Sequence, residues 1–151
     1  KIQIFSACER IHTSDLFTLC HFACQVVTPE LLFGTMPDQV RAAHLLIKHT
    51  GSRNPVSRRT NQTIALSPEQ AIEELKSYEA RIKAEGVDNS FPRYAQERSD
   101  CSSFARNGDL GFFGRGQMQR PFEEAAFGLE VGQMSGIVST DSGYHLIYRI
   151  A

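Results

Sequence analysis

The segment RAAHLLIK, residues 41–48, constrains the fold more than any other part of the sequence. A short and almost continuous apolar run of this kind is typical of a strand that is buried inside a sheet. Leu45, Leu46 and Ile47 would then belong to the core, and a histidine, His44, stands among them. The sequence therefore predicts a central strand with a histidine in its buried part.

The chain beyond residue 66 alternates helix signals with strand signals. The sequence SPEQ at residues 67–70 combines a capping serine, a proline at the first helical position and a glutamine that completes a capping box, and Gly86 ends this helix. A second helix is predicted for residues 91–98, a short strand for part of residues 99–116, and a third helix from Pro121. Residues 137–140 and 144–150 alternate as two strands of a hairpin. This order predicts an α+β domain with a small sheet.

The first part of the chain has a different character. Residues 1–38 show no sustained period of 2 or 3.6 and end in the turn-forming sequence GTMP. We therefore expect a poorly ordered N-terminal extension over residues 1–38, followed by one folded domain over residues 39–151.

The cysteines and the apolar segments limit the class of protein. Cys8, Cys20, Cys24 and Cys101 do not form the pattern of a disulfide framework, which favours a reducing compartment, the cytoplasm or the nucleus. The sequence CHFAC at residues 20–24 lacks a second pair of ligands at suitable spacing, so no metal site is predicted. No apolar run is long enough to cross a bilayer, and no membrane partner is expected.

Charge is distributed unevenly along the chain. Residues 39–68 contain no Asp or Glu, whereas the net charge of the whole chain is −1. A nucleic-acid-binding protein is usually basic as a whole, so nucleic acid is not an expected partner. A local basic cluster on an acidic body is better suited to a small anion. Four cations lie at the end of the first strand and in the long polar loop that follows it over residues 49–63, namely Lys48, Arg53, Arg58 and Arg59.

Four sequence blocks, taken in order, identify a family. They are AAHLLIKH, SDCSS, GDLGFFGRGQMQRPFEEAAF and TDSGYHLI, and together they resemble the parvulin family of peptidyl-prolyl cis/trans isomerases from about residue 39 to the end. Within the family, the positively charged loop after the first strand and Cys101 resemble features of the branch that acts on phosphoserine– or phosphothreonine–proline bonds. Two-domain members of that branch carry a tryptophan-containing WW module, and the chain contains no Trp, so we expect the single-domain form.

The resemblance implies both a fold and an activity. The fold would be parvulin-like, within the FKBP-like superfold, with a small four-stranded antiparallel sheet surrounded by about four helices. The activity would be rotation about phospho-Ser/Thr–Pro or acidic residue–Pro bonds, through non-covalent stabilisation of a twisted amide. No cofactor is implied, and the partners would be phosphorylated proteins bound by a monomer.

The resemblance also assigns residues to three parts of a site. The catalytic group would be His44, Cys101, Ser142 and His145. The phosphate of the substrate would be bound by Lys48, Arg53, Arg58 and Arg59. The proline pocket would comprise Leu110, Met118, Gln119 and Phe122, with Gln119 placed to bind the substrate backbone.

One departure and several alternatives stay open at this point. Members of the branch often have two adjacent arginines where this chain has Arg53-Asn54, so either phosphate preference is weaker or Arg58 or Arg59 compensates. Each assigned residue, taken singly, also has an ordinary structural interpretation. A histidine in a strand is more often a core residue, and a free cysteine is more often a small buried apolar residue. The apolar residues assigned to the proline pocket could likewise belong to the core. A phosphopeptide-binding module without useful catalysis, and a cysteine hydrolase using Cys101, are the competing functions.

Overall fold

The computed structural model describes residues 38–151, and the extension predicted for the first part of the chain lies outside the described residues, apart from Asp38. Four strands form one antiparallel sheet in the order β2-β1-β4-β3. Their bounds are Gln39–Ile47 (β1), Asp109–Gly114 (β2), Val138–Thr140 (β3) and Gly143–Arg149 (β4). The predicted four-stranded antiparallel sheet is therefore confirmed, and the apolar first strand lies at its centre between β2 and β4.

Three α-helices and one short 3₁₀ helix accompany the sheet within the described residues. The α-helices are Pro68–Glu85 (α1), Val87–Arg98 (α2) and Arg120–Gly128 (α3), and the 3₁₀ helix is Ser102–Arg106. The predicted capping box at the start of α1 is confirmed, because Ser67 accepts from the backbone of Gln70 and Gln70 accepts from the backbone of Ser67. Helix α2 begins four residues earlier than predicted and contains Pro92 in its interior. Its start was missed because one residue, Gly86 at φ 93°, both ends α1 and precedes α2.

The two faces of the sheet pack against different helices. Alternate residues of a strand point to opposite faces, and in β1 this separates the residues that pack on α1 and α2 from those that pack on α3. The first cluster contains Ala43, Leu45, Ile47, Leu75, Ile82, Phe91 and Leu146. The second contains Val40, Ala42, Phe113, Phe122, Ala126, Phe127 and Ile147. His44 belongs to the same face as Ala42, so it points toward the α3 side.

No helix within residues 38–151 is long and apolar enough to cross a membrane. The same residues contain no cluster of three or more His, Cys, Asp or Glu side chains arranged to hold a metal ion. The CHFAC segment, for which no metal site was predicted, lies outside the described residues.

Candidate active site

The register between β1 and β4 brings two histidines together. Leu46 lies opposite His145, and His44 lies opposite Ile147, so the histidines are diagonal neighbours on one face of the sheet. Their Nδ1 atoms are 3.1 Å apart, and their rings are stacked with centroids 5.3 Å apart. Both side chains are buried, with 5% and 4% exposure. A pair of residues 101 positions apart in the chain thus becomes one hydrogen-bonded unit.

Two hydroxyl groups extend the histidine pair into a network. His44 Nε2 lies 2.9 Å from Ser103 Oγ, and His145 Nε2 lies 2.8 Å from Thr140 Oγ1. Burial holds the pKa of His145 well below its usual range, and the charge of His44 acts in the same direction. Whenever His44 is cationic, it therefore donates from Nδ1 to His145, which in turn donates from Nε2 to Thr140. Ser103 and Thr140 were not predicted as members of the site.

The backbone of His44 is held by a close approach from Gly108. The amide of His44 donates to the carbonyl oxygen of Gly108 at 2.9 Å. Gly108 has φ 82°, and a Cβ atom at this position would lie 2.5 Å from the carbonyl oxygen of His44 and 2.8 Å from Ala95 Cβ. Glycine is required here for both reasons, because other residues disfavour positive φ and no space exists for a side chain.

Cys101 lies at the start of the 3₁₀ helix and is half-buried. Burial alone would raise the pKa of its thiol, but a hydrogen bond with His44 and the charge of His44 act against burial, together with hydrogen bonds from Ser103. The result is a pKa lowered from 9.0 to about 6. Cys101 is therefore mainly a thiolate at neutral pH, held in place by the same network that orders the histidines.

An apolar cavity of about 220 Å³ lies above the histidine pair. All eight residues predicted for the catalytic group and the proline pocket line it: His44, Cys101, Leu110, Met118, Gln119, Phe122, Ser142 and His145, together with Leu46 and Thr140. Phe122 forms the floor beside the histidines, with ring centroids 5.7 Å from His44 and 5.3 Å from His145, both edge-on. The size and apolar lining suit a pyrrolidine ring.

Gln119 fixes the rim of this cavity. Its Nε2 donates to Ser142 Oγ at 3.0 Å, and its Oε1 accepts from the backbone amide of Asp141 at 3.1 Å. These two bonds join the start of α3 to the turn between β3 and β4. One Nε2 hydrogen and one Oε1 lone pair of Gln119 are left over, which is sufficient for a hydrogen bond to a peptide backbone.

A second, polar cavity of about 220 Å³ adjoins the apolar one. Lys48, Arg53 and Arg58 line it, with Asn54 and Ser102, and it shares Leu46, Cys101 and Ser142 with the apolar cavity. Arg53 and Arg58 are exposed and form no ion pair within residues 38–151. We call this the cation cavity.

Lys48 is buried at the inner end of the cation cavity. Its Nζ donates to the carbonyl oxygen of Val56 at 2.6 Å. Burial lowers the pKa of Lys48, and the neighbouring charge of Asp100 opposes this effect. Lys48 is therefore a fixed, buried donor in the cavity wall, whereas Arg53 and Arg58 are exposed side chains of the loop that follows it.

Arg59 is the one predicted cation that the structure does not bring to the cation cavity. It lines a separate hollow with Arg98 and Asp100. Arg98 is already paired with two carboxylates, Glu74 at 2.5 Å and Asp100 at 3.1 Å. The hollow is thus electrically balanced, and the structure separates Arg59 from the group to which the sequence assigned it.

The basic loop between β1 and α1 has internal structure. Val56 and Thr63 form an isolated antiparallel bridge, and Ser57 donates from its backbone to the carbonyl oxygen of Gln62 at 2.9 Å. The backbone amide of Arg58 donates to the carbonyl oxygen of Asp100 at 2.9 Å. We call residues 49–63 the basic loop; these contacts hold it as a small hairpin over the site.

Comparison with known proteins identifies the class of enzyme. Residues 44–151 match the rotamase family, described as the PPIC-type PPIase domain. The chain belongs to this family, and it is therefore a peptidyl-prolyl cis/trans isomerase. This assignment sets aside both the cysteine-hydrolase interpretation and that of a binding module without catalysis.

Individual relatives are similar over most of the chain. The peptidyl-prolyl cis-trans isomerase NIMA-interacting 1 of Theileria annulata is 55% identical over 115 residues, which are 76% of this chain and 81% of the relative. The peptidyl-prolyl cis-trans isomerase Pin1 of Arabidopsis thaliana is 51% identical over 117 residues, 76% of this chain and 97% of the relative. The solved structure of the isomerase ESS1 from Candida albicans superimposes with a TM-score of 0.71 at 46% identity, over 76% of this chain and 63% of the other. This structural neighbour confirms the parvulin-type α+β fold.

Proposed function

We propose that this isomerase acts preferentially on phosphoserine– and phosphothreonine–proline bonds in phosphorylated proteins. The observation that carries the proposal is the direct contact between the cation cavity and the apolar cavity, which share Cys101 and Ser142. A proline in the apolar cavity would place the preceding residue over those two side chains. Its phosphate would then enter the cation cavity.

Three cations support phosphate binding. One of them, Arg58, can compensate for the arginine that Asn54 replaces. A phosphate ester carries about −1.5 to −2 charge near neutral pH. Lys48 supplies a fixed donor at 2.6 Å from Val56 O, and Arg53 and Arg58 are exposed without carboxylate partners in the described domain. Arg58, and not Arg59, lines the cation cavity together with Asn54. Arg58 therefore takes the place of the second of the two adjacent arginines in related enzymes.

The proposed mechanism requires no covalent step. The barrier to rotation about a peptide bond is ~18–20 kcal/mol, and the unaided reaction at proline takes tens to hundreds of seconds. About 10² turnovers per second would require only ~5–6 kcal/mol of transition-state stabilisation. Rotation removes the amide resonance, so the carbonyl becomes less polar and the nitrogen a better acceptor. A dry cavity that holds the proline ring favours this twisted state.

The polar residues of the apolar cavity have distinct proposed roles. The histidine pair supplies a rigid floor beneath the rotating bond, because each ring is held at both nitrogens. The thiolate of Cys101 lies at the boundary of the two cavities, where the rotating carbonyl passes, and it acts electrostatically. Ser142 and Gln119, which are bonded to each other at 3.0 Å, hold the peptide backbone at the opposite rim. All these residues come from one chain, which supports action as a monomer.

The proposal is tested with three peptides that differ only before proline, namely phospho-Ser–Pro, Glu–Pro and Ala–Pro. Each charge-assisted contact is worth ~1–2 kcal/mol at a partly exposed site, so two or three contacts predict a preference of roughly 10²–10⁴-fold in kcat/KM for the phosphopeptide over Ala–Pro. Glu–Pro should fall between them. Increasing salt should narrow the difference by screening.

Matched variants locate the effect within the basic loop. Arg58→Ala should lose about ten-fold of the phosphopeptide rate, corresponding to ~1.4 kcal/mol, while turnover of Ala–Pro is retained. Arg59→Ala removes the same charge from the adjacent residue and should leave the preference unchanged, because Arg59 lines another hollow. Equal rates for phospho-Ser–Pro and Ala–Pro in the unmodified protein would refute the proposal.

A further inference from the structure

Asp100 is a deeply buried carboxylate that lines neither the apolar cavity nor the cation cavity. A buried charge is unfavourable unless it is paired and hydrogen-bonded. Asp100 Oδ1 lies 3.1 Å from Arg98 Nη1, and Arg98 in turn donates to both carboxylate oxygens of Glu74, at 2.5 and 3.1 Å. Glu74 belongs to α1 and Arg98 is the last residue of α2, so the carboxylate of Asp100 is anchored to both helices.

From this anchor, Asp100 holds the backbone of two cations of the cation cavity. Its Oδ2 accepts from the amide of Lys48 at 3.1 Å, and its carbonyl oxygen accepts from the amide of Arg58 at 2.9 Å. Lys48 directly follows β1, whereas Arg58 belongs to the basic loop. One residue therefore connects two cations that lie on different segments of the chain.

The backbone of Asp100 also fixes the boundary between the two cavities. Strand β2 pairs with β1 only as far as Ala43, and beyond that point the amide of Asp100 donates to the carbonyl oxygen of Leu46 at 2.8 Å. Leu46 lines both cavities, and so does Cys101, the residue that follows Asp100. The contact with Leu46 involves backbone atoms alone, so a change of the Asp100 side chain acts mainly on the side of the cations.

A carboxylate so close to an anion site has two effects of opposite sign. Its charge repels a bound phosphate through space, although the pairing with Arg98 reduces this repulsion. In the other direction, burial lowers the pKa of Lys48 and the charge of Asp100 opposes this effect, so Asp100 favours the ammonium form that attracts a phosphate. Removal of the charge therefore has opposite consequences for phosphate binding, depending on which effect is larger.

We propose that Asp100 is a positioning residue for phosphate recognition, and that this role outweighs its repulsion of the phosphate. Asp100 does not contact the substrate. It acts on Lys48 through its carboxylate and on the basic loop through its bond with Arg58, while Arg98 holds the carboxylate in place. The inference rests on the preference for phosphopeptides proposed above.

The test removes the charge of Asp100 and keeps the shape of its side chain. Asp100→Asn retains an amide oxygen that can accept from Lys48 but loses the ion pair with Arg98. In a protease-coupled isomerisation assay, KM for phospho-Ser–Pro should rise about ten-fold with kcat little changed, because the ground state and the transition state lose the same phosphate contact. For Ala–Pro, kcat/KM should stay within about two-fold of that of the unmodified protein.

Two further variants control for a general loss of structure. Ser99→Ala removes a neighbouring buried hydrogen bond, from the amide of Leu46 to Ser99 Oγ at 3.1 Å, and no contact with a cation, so it should affect the two peptides alike. Arg98→Lys keeps the charge of the anchor but not the planar guanidinium that bridges two carboxylates. It should raise KM for the phosphopeptide selectively, by less than Asp100→Asn, and it decides the question if Asp100→Asn does not fold.

The possible outcomes separate the two effects of Asp100. A higher preference for phospho-Ser–Pro in Asp100→Asn would refute the proposal and show that repulsion dominates. Parallel losses for both peptides in Asp100→Asn, or in Arg98→Lys where only that variant folds, would also refute it, as would unchanged kinetics. Failure of the phosphate preference itself shows separately, as equal rates for phospho-Ser–Pro and Ala–Pro in the unmodified protein.

Discussion

The thiol of Cys101 should titrate near pH 6, and this can be measured directly. Replacement of Cys8, Cys20 and Cys24 by serine leaves Cys101 as the single cysteine of the chain. The rate of alkylation by iodoacetamide follows the thiolate fraction, so its pH profile reports the pKa. With the pKa lowered from 9.0 to about 6, the midpoint should lie near pH 6, well below that of an ordinary cysteine.

The lowered pKa of Cys101 also affects the stability of the folded protein. A change from 9.0 to about 6 means that the folded state prefers the thiolate over the thiol, by roughly 2 kcal/mol once solvent screening at a half-buried group is allowed for. Because the folded pKa is the lower one, the stabilisation is complete above the unfolded pKa and is lost as the pH falls to about 6. Urea denaturation should therefore show that the difference in free energy of unfolding between the unmodified protein and Cys101→Ala is larger at pH 9 than at pH 6, by roughly 2 kcal/mol after screening.

A variant of His44 provides the control for the lowered pKa of Cys101. The hydrogen bond and charge of His44 are the main effects that lower the pKa of Cys101. His44→Asn keeps a polar side chain but cannot become cationic, so the alkylation midpoint should move upward by more than one pH unit, roughly a ten-fold change in the acid constant. A midpoint near pH 8.5 in the protein with the native histidine would refute the reasoning, as would a difference in stability that does not change with pH.

Three further predictions concern activity and folding. Cys101→Ala should lower kcat/KM by roughly ten- to a thousand-fold without unfolding the domain, and Cys101→Asp should retain more activity, because a carboxylate restores the charge; full activity of the alanine variant in an isomerisation assay would contradict the assigned role. Met118→Ala should raise KM in a folded protein, and unchanged kinetics in this variant would show that Met118 is an ordinary core residue. Phe122 is only 4% exposed, so Phe122→Ala should also lower the free energy of unfolding by ~3–5 kcal/mol in urea titrations. Gly108→Ala should lower the melting temperature and raise fluctuations of His44 seen by NMR, since its Cβ would lie 2.5 Å from His44 O; a melting temperature equal to that of the native chain would count against this contact.

The elements of the fold could be predicted where local chemistry decides them. The apolar run of β1 predicts a strand, and the capping box at Ser67 predicts where α1 begins. The last two strands alternate about a tight turn, and they pair as predicted, with Thr140 opposite Gly143. In each case the signal lies within a few neighbouring residues, so no knowledge of tertiary contacts is needed.

The partners of the histidines could not be predicted in the same way. Ser103 is 59 positions from His44, and only the packing of the 3₁₀ helix against β1 brings them together. A usable signal for Thr140 did exist: in a hairpin with Val138 opposite His145, Thr140 lies on the same face and diagonal to the histidine. The hairpin was therefore predicted correctly, and Thr140 could have been assigned to the site from the register of its two strands.

The different positions of Arg58 and Arg59 show a second limit of prediction from the sequence. The two residues are adjacent and identical, so composition and spacing treat them alike. Their different positions result from the hairpin within the basic loop, which was predicted only as a long polar loop. A bridge between Val56 and Thr63 turns one arginine toward the cation cavity and the other toward Arg98.

The internal pairing of the basic loop also affects the thermodynamics of the free enzyme. Because the loop is ordered by its own backbone bonds and by Lys48 Nζ on Val56 O, little conformational entropy is left to lose when an anion arrives. Burial is the main cause of the lowered pKa of Lys48, and the positive charge of Arg58 adds to it. A dianion bound between Lys48 and Arg58 would offset the repulsion between the two, so it should stabilise the fold as well as being held by it.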